Sequence, residues 1–189
     1  MPKKLIPGTV MAYEDKNSMF DEYTFLIKAT DGLTLSQVCS ITGLEASTIQ
    51  NWVKRGFVAR PINKKYHGRH LARILLISAL RDCMKIDSIG ELMSMVNGSA
   101  DDESDDIISE QQLYDYLMQI IGLAKSTAPK IEEIPKLVEN VISDYKSPND
   151  SDRERLYDAL NIMAYAYTAS QYKKIAEDRL YKMKEADAN

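Results

Sequence analysis

Two glycines, Gly43 and Gly56, bound a short stretch of the 189-residue chain and allow the backbone to turn sharply at each end of it. Ile49, Trp52 and Val53 lie between them at i, i+3 and i+4 spacing, which puts all three on one face of a helix. Gly56 stands where a helix ends in the left-handed conformation, which glycine adopts without strain. The stretch therefore predicts a short amphipathic helix between two tight turns.

The predicted helix carries a polar face opposite its apolar one. This face presents hydroxyl, amide and ammonium groups, from Ser47, Gln50, Asn51 and Lys54. Such groups bind base edges in the major groove of DNA, so we expect these four side chains to read bases. Residues 33–42 predict a preceding helix, and two helices joined by a tight turn form the helix-turn-helix pattern.

After Gly56 the patterning changes from helical to extended. Residues 57–59 and 65–67 predict two short strands joined by a turn over 60–64, which together predict a β-hairpin wing. Five cations lie on or beside this hairpin: Arg55, Arg60, Lys64, Lys65 and Arg69. Because each cation that reaches a phosphate releases counterions, we expect these side chains to hold the DNA backbone. The alternative is an ordinary solvated basic surface.

The charge distribution bears on this hypothesis. The formal net charge of −4 argues by itself against a nucleic-acid-binding protein. Residues 31–97, however, carry 9 basic and 5 acidic side chains, a net +4, whereas residues 98–146 carry 4 and 11, a net −7. A local positive field matters more than the total charge in steering a polyanion. The positive part of the chain coincides with the helix-turn-helix pattern.

The sequence predicts four regions and a mainly α fold. Residues 1–30 form a lead-in and a helix, 31–97 a winged helix-turn-helix, 98–108 an acidic linker and 109–189 a helical domain. The linker has the composition of a solvated tether, with mimicry of DNA phosphate as the alternative. The last region is predicted to be a helical bundle with a long C-terminal helix. The broad apolar surface of that helix requires burial in its own bundle or against a second chain.

Features of enzymes, metal sites and membrane proteins are missing from the sequence. Cys39 and Cys83 are isolated thiols, and His67 and His70 have no nucleophile or further metal ligand beside them. No glycine-rich phosphate loop occurs, so we predict no enzymatic activity, no metal and no cofactor. No apolar run reaches the ~20 residues of a membrane span, and no signal peptide is evident. We therefore expect a cytoplasmic protein without a membrane partner.

The order of these motifs resembles a known family. Residues 34–44 and 48–58, followed by the segment around Tyr66, resemble a MerR-type winged helix-turn-helix, and residues 86–92 are similar to its short final helix. The run Asn-Trp-Val-Lys-Arg-Gly-Phe-Val at 51–58 is, more closely, similar to a bacterial family with a MerR-like core that is known only as a domain of unknown function. Lys-Lys-Tyr at 64–66 and His-Leu-Ala at 70–72 extend that similarity. The resemblance covers about residues 20–125.

Two departures accompany the resemblance. MerR-type recognition helices carry a serine cap, a tyrosine and an arginine where this chain has Glu45, Gln50 and Asn51. An acid at that end of the helix suits the helix dipole and disfavours contact with phosphate. The metal-binding cysteines of metal-sensing MerR regulators have no counterpart here.

These features predict a DNA-binding transcriptional regulator that binds double-stranded DNA as a homodimer. One short recognition helix buries too little surface for useful specificity, whereas two half-sites multiply it. The C-terminal half is expected to dimerise and to sense an effector, either a small molecule or a protein. The alternative is a non-enzymatic protein-interaction adaptor on a helix-turn-helix fold that no longer reads DNA. Glu45, the net acidity and the apolar C-terminal surface favour that alternative.

Overall fold

Seven complete α-helices lie within the residues that the computed structural model describes, which are 6–10, 27–123, 129–147 and 149–187. In chain order they are α1 (Leu35–Thr42), α2 (Ala46–Lys54), α3 (Gly68–Leu80), α4 (Ile86–Asn97), α5 (Glu110–Gly122), α6 (Ile134–Val141) and α7 (Asp150–Asp187), and a 3₁₀ turn (Ile131–Glu133) precedes α6. The prediction of a mainly α protein is confirmed. Residues 27–29 are helical, and the preceding part of the helix predicted within residues 1–30 lies outside the described residues.

Helix α3 lies at the centre of the structure because its apolar residues cover more than one face. Ten of its 13 residues are buried, and it packs against α1, α4, α5 and α7. Helices α5, α6 and α7 pack on one another, and α4 packs on α7. The buried apolar side chains form one cluster that extends from Ile27 to Tyr167. The helical pair and the C-terminal helices therefore share a core.

Helices α1 and α2 form a pair joined by a three-residue turn. Thr34 caps α1 reciprocally with Gln37, because each accepts a hydrogen bond from the other's backbone N–H, at 3.3 and 2.8 Å. Leu44 fills the corner of the turn, while Ile49 and Trp52 are buried from α2. With 4% of its surface exposed, Trp52 has the core position predicted for it.

The end of α2 confirms the predicted role of Gly56. Its φ is +78°, and its N–H donates to the carbonyl of Val53 at 3.1 Å. The next N–H, that of Phe57, donates to the carbonyl of Trp52 at 2.9 Å. This pair of bonds is the Schellman arrangement, which satisfies carbonyls at the last turn of a helix.

The predicted β-hairpin wing is wrong. No β-strand occurs among the described residues, and the segment between α2 and α3 forms only two isolated bridges, Leu33–Tyr66 and Ile62–Lys65. A hairpin needs its two arms to bond each other over several residues. Here the backbone of Tyr66 bonds Leu33, outside the segment, through both its N–H and its carbonyl at 2.8 Å.

Side chains of α3 take the other backbone groups that a hairpin would use. The carbonyl of Phe57 accepts a hydrogen bond from Nε of Arg73 at 2.7 Å. The carbonyl of Arg60 lies 3.1 Å from Nε2 of His70. The segment is therefore an extended connection fastened to α3, and the winged part of the predicted fold class is incorrect.

The acidic segment between α4 and α5 follows the surface of these helices without regular structure. Its ends are close together, because the N–H of Ile107 donates to the carbonyl of Val96 at 3.0 Å. The side chain of Asn97 donates to the carbonyl of Ile108, and both residues are buried. The segment is thus a closed loop, which we call the acidic loop (residues 98–106).

Helix α7 is 38 residues long, and its two halves differ in environment. Residues up to 170 contribute Leu156, Leu160 and Met163 to the core, whereas residues 172–186 are all exposed. No helix in the described part of the chain is long and apolar enough to cross a membrane.

Candidate nucleic-acid interface

Helix α2 exposes the four polar side chains that the sequence pattern singled out. Ser47, Gln50, Asn51 and Lys54 are all exposed. Their spacing of three and four residues puts them on one face, opposite the buried Ile49 and Trp52. The side chains of these four residues make no hydrogen bond or ion pair to any residue that the structure describes. Their donors and acceptors are therefore free to bind a ligand.

The N-terminal end of α2 is less favourable to an anion. Glu45 occupies the cap position, its side chain is exposed, and it makes no capping hydrogen bond. Its carboxylate complements the partial positive charge at the helix N-terminus. A phosphate approaching this end would meet that charge, so the C-terminal half of the helix is the better DNA-facing end.

Arg55 follows α2 directly and forms a surface ion pair. Its Nη2 lies 2.7 Å from Oδ1 of Asp87, and both side chains are largely exposed, at 43% and 70%. The guanidinium also lies 4.6 Å from the ring centre of Phe57. Exposed pairs of this kind contribute about 0–1 kcal/mol, so a phosphate can replace Asp87 at little cost.

Lys64 and Lys65 lie in a tight turn. Asn63 and Lys64 both have positive φ, at 49° and 64°, and the backbones of Ile62 and Lys65 bond each other at 2.8 and 3.0 Å. Lys64 is exposed and unpaired within the described residues, whereas Nζ of Lys65 donates to the carbonyl of Thr30 at 3.3 Å. Lys64 is therefore the cation of this turn that is readily available to phosphate.

Arg60 and Arg69 lie near each other at the beginning of α3, but their availability differs. Arg60 is exposed, and its backbone N–H donates to Oδ1 of Asp101 at 3.4 Å. The side chain of Arg69 is only 16% exposed and forms an ion pair with Glu103. It also donates to the carbonyl of Ala100 at 2.8 Å. The structure thus places one predicted phosphate contact beneath the acidic loop.

Arg73 is a further cation of this region, which was not among the predicted phosphate contacts. Arg73 is 4% exposed, and its Nη1 lies 3.4 Å from Oε1 of Glu110, which is 2% exposed. Burial is the main cause that lowers the pKa of Arg73, and Glu110 opposes it. The same carboxylate lies 3.7 Å from Arg69. Arg73 and Glu110 fasten α3 to α5 and are not accessible to DNA.

The two histidines have structural contacts. Nδ1 of His70 accepts a hydrogen bond from the backbone N–H of His67 at 3.0 Å, which caps α3. Burial is the main cause that lowers the pKa of His70. No group of three or more metal-ligating side chains occurs among the described residues.

A cavity of about 530 Å³ opens beside the end of α2. Its lining includes Trp52 and three cations, Arg55, Arg81 and Lys85. Arg81 and Lys85 are exposed, and sequence reasoning did not select them because they follow α3, outside the predicted wing. They extend the basic surface beyond Arg55.

The tyrosines of the C-terminal half do not line one common pocket. Tyr114, Tyr116 and Tyr167 are at most 5% exposed, within the core. Tyr165, Tyr172 and Tyr181 are 38%, 59% and 63% exposed along α7.

The fold and this surface define a helical protein with a pair of short helices, α1 and α2, and one family of known proteins is similar to this part of the chain. Residues 27–117 match the family described as "Domain of unknown function (DUF1836)". The matched segment includes α1 to α4, the acidic loop and part of α5, and the chain is similar to that family over these residues.

One curated relative is similar to a larger part of the chain. "Uncharacterized protein YkrK" of Bacillus subtilis (strain 168) is 26% identical over an alignment of 141 positions, which covers 71% of this chain and 59% of that protein. The chain thus covers less than two thirds of the length of this relative. No solved structure matches the chain at a significant level.

Proposed function

We propose that this protein is a DNA-binding transcriptional regulator that acts on double-stranded DNA as a homodimer and has no enzymatic activity. The observation that carries the proposal is the α2 surface. Four polar side chains share one exposed face and have no partner among the described residues. The segment after α2 adds three exposed cations, Arg55, Arg60 and Lys64. Polar groups for base edges with cations beside them are the arrangement that DNA-binding helices use.

The resemblance of residues 31–97 to a MerR-type core supports the same proposal for the helical pair. In this proposal α2 is the recognition helix, with Ser47, Gln50, Asn51 and Lys54 in the major groove. Arg55, Arg60, Lys64 and Lys65 contact phosphate, and Arg69 joins them only when the acidic loop releases it.

The homodimer is supported by an apolar stripe on α7. We define this α7 stripe by seven exposed residues at steps of three or four: Ile162, Tyr165, Ala169, Tyr172, Ala176, Leu180 and Met183. Large side chains occupy both ends, and an alanine lies on each side of Tyr172. Two antiparallel copies would therefore place large residues against large and small against small, which suits a two-fold interface. The helical region 109–189 is also where we place a small-molecule or protein effector.

The second candidate is a protein-interaction adaptor that does not bind DNA. The α7 stripe favours it, because an unpartnered apolar face suits a protein partner as well as a second copy. The occupation of Arg69 by Glu103 favours it too, because it removes a cation from the candidate interface.

A single substitution separates DNA binding from stability. Lys64→Gly removes one exposed cation, so it should weaken binding to a labelled duplex and lower the slope of log affinity against log salt by about 0.9. Glycine also relieves the positive φ of position 64, so the variant should be more stable by ~0.5–1 kcal/mol. Lys136→Ala, at an exposed position of α6, is the control for charge.

Fluorescence anisotropy across a salt series and urea unfolding measure the two effects. Weaker binding by a more stable Lys64→Gly protein, with Lys136→Ala unchanged, supports DNA contact at this turn. Gln50→Ala/Asn51→Ala should then reduce preference for a selected sequence over random duplex. If neither the folded wild type nor a folded variant with the carboxylates beside Arg69 neutralised binds a duplex at any salt concentration, the regulator proposal is refuted and the adaptor is favoured.

A further inference from the structure

The acidic loop lies on the same basic groups that the candidate interface requires. Glu103 forms an ion pair with Nη1 of Arg69, and the carbonyl of Ala100 accepts from Nη2 of Arg69 at 2.8 Å. Oδ1 of Asp101 accepts from the backbone N–H of Arg60 at 3.4 Å. Both ends of the Arg69 guanidinium are therefore already bound by oxygen atoms.

The oxygen atoms of Glu103 and Ala100 contact Arg69 as the phosphate oxygens of a DNA backbone would. Arginine binds phosphate through paired N–H groups, and a carboxylate with a neighbouring carbonyl presents the same acceptors. Asp101, Asp102, Glu103 and Asp105 are exposed on the loop. Their charge would repel a phosphate approaching the beginning of α3. The loop and DNA therefore cannot occupy this edge together.

The acidic loop can move away without unfolding a helix. It is closed at its base by the bond between Ile107 and Val96, at 3.0 Å, and by the contact between Asn97 and Ile108. Internal bonds maintain its shape, since Asp102 accepts from Ser104 at 2.9 Å. The direct bonds that join it to the arginines are the Glu103 and Asp101 contacts and the Ala100 carbonyl, and Glu103 is 66% exposed. Asp102 and Asp106 act on Arg69 through their charge without such a bond.

We propose that the acidic loop is an autoinhibitory element, which covers Arg69 and the backbone of Arg60 and is displaced when DNA binds. This inference rests on the proposed function, because it concerns regulation of the same surface. DNA binding then competes with an internal ligand, so the measured affinity is lower than the free surface would give. A partner that draws the acidic loop away would strengthen DNA binding.

The test neutralises the two carboxylates that reach the arginines. Asp101→Asn/Glu103→Gln keeps the size of both side chains, and Glu132→Gln/Glu133→Gln makes the same change of net charge at exposed positions before α6. Binding of a labelled random-sequence duplex is measured by anisotropy across a salt series. Because one exposed charge pair is worth about 0.2–1 kcal/mol, loss of the Glu103 charge should make the loop variant bind about 1.4- to five-fold more tightly at low salt.

The salt dependence identifies the released cation. If Arg69 gains a phosphate, the slope of log affinity against log salt should become steeper by about 0.9. Adding Arg69→Gln to the loop variant should remove the extra slope. Thermal unfolding of each variant checks that the comparison is between folded proteins.

The outcomes separate the two proposals. Tighter, more salt-dependent binding by the loop variant alone supports autoinhibition, and so does binding by this variant when the wild type does not bind. If the wild type binds DNA and the loop variant and the control change its affinity equally, autoinhibition is overturned. The DNA-binding proposal then still stands. Absence of binding by every folded variant overturns both.

Discussion

The buried ion pair between Arg73 and Glu110 allows a sharp test of what holds the candidate interface in place. The two side chains are 5% and 2% exposed, with 3.4 Å between Nη1 and Oε1. Arg73 also donates to the carbonyl of Phe57, so it connects α3, α5 and the segment that follows α2. Glu110→Gln keeps the shape of the side chain and removes its charge.

We expect Glu110→Gln to lower the free energy of unfolding by about 3 kcal/mol. Removal of one partner from a buried pair typically costs 3–5 kcal/mol, because the other charge stays buried without compensation. The lower end applies here, since glutamine retains an acceptor oxygen and Arg73 retains its bond to Phe57. For a chain of this size the change corresponds to a fall of about 6–12 °C in Tm.

Urea unfolding followed by circular dichroism measures the difference. Glu103→Gln is the matched control, because it removes the charge of a 66% exposed partner of Arg69 and should cost less than ~1 kcal/mol. The double variant Arg73→Met/Glu110→Met should be more stable than Glu110→Gln, since neither charge is then buried alone. A loss below 1 kcal/mol for Glu110→Gln would refute the argument that this pair is electrostatically coupled.

Three further predictions follow from particular side chains. Burial, aided by Glu110, raises the pKa of Asp106 from 3.8 to about 7, so Asp106→Asn should stabilise the protein fully above pH 7. That gain in stability should shrink as the pH falls and vanish below 3.8. Urea unfolding of the wild type and the variant at pH 8 and at pH 5 would measure it, and equal gains at the two pH values would contradict the prediction. Gly56→Ala should cost ~1 kcal/mol of stability, which is the strain of an alanine at φ +78° alone, because no atom lies within 4 Å of an added Cβ. Gly8→Ala should cost more, because its Cβ would also collide with the Leu75 carbonyl. Calorimetric Tm values would rank the two variants. If the proposed homodimer forms through the α7 stripe, Tyr172→Lys should halve the mass in sedimentation equilibrium; a wild-type dimer that this variant leaves unchanged would exclude this surface.

Local pattern was sufficient for the helical pair. The spacing of Ile49 and Trp52 determined which face of α2 is buried, and Gly56 determined where the helix ends. Both signals act within one or two turns, so no distant contact was needed to interpret them. The apolar pattern of α3 is likewise contained in consecutive residues, from Gly68 to Leu80.

The wing prediction failed because extended patterning says nothing about hydrogen-bond partners. Residues 57–59 and 65–67 have the extended patterning from which the hairpin was predicted. In the structure, Arg73, His70 and Leu33 take the backbone groups that the two arms would share. These partners lie 10 or more residues from the groups they bind, so a local pattern could not reveal them.

The sequence by itself determined the helical class, the polar face of α2 and the concentration of positive charge in residues 31–97. These properties depend on side-chain type and on the period of a helix, which are written in consecutive residues. Only the tertiary structure decided which cations are available: Lys64 is exposed, Arg69 lies beneath the acidic loop and Arg73 is buried against Glu110. The physical reason is that the exposure and pairing of a charge depend on what folds over it, here acids more than 30 residues away along the chain.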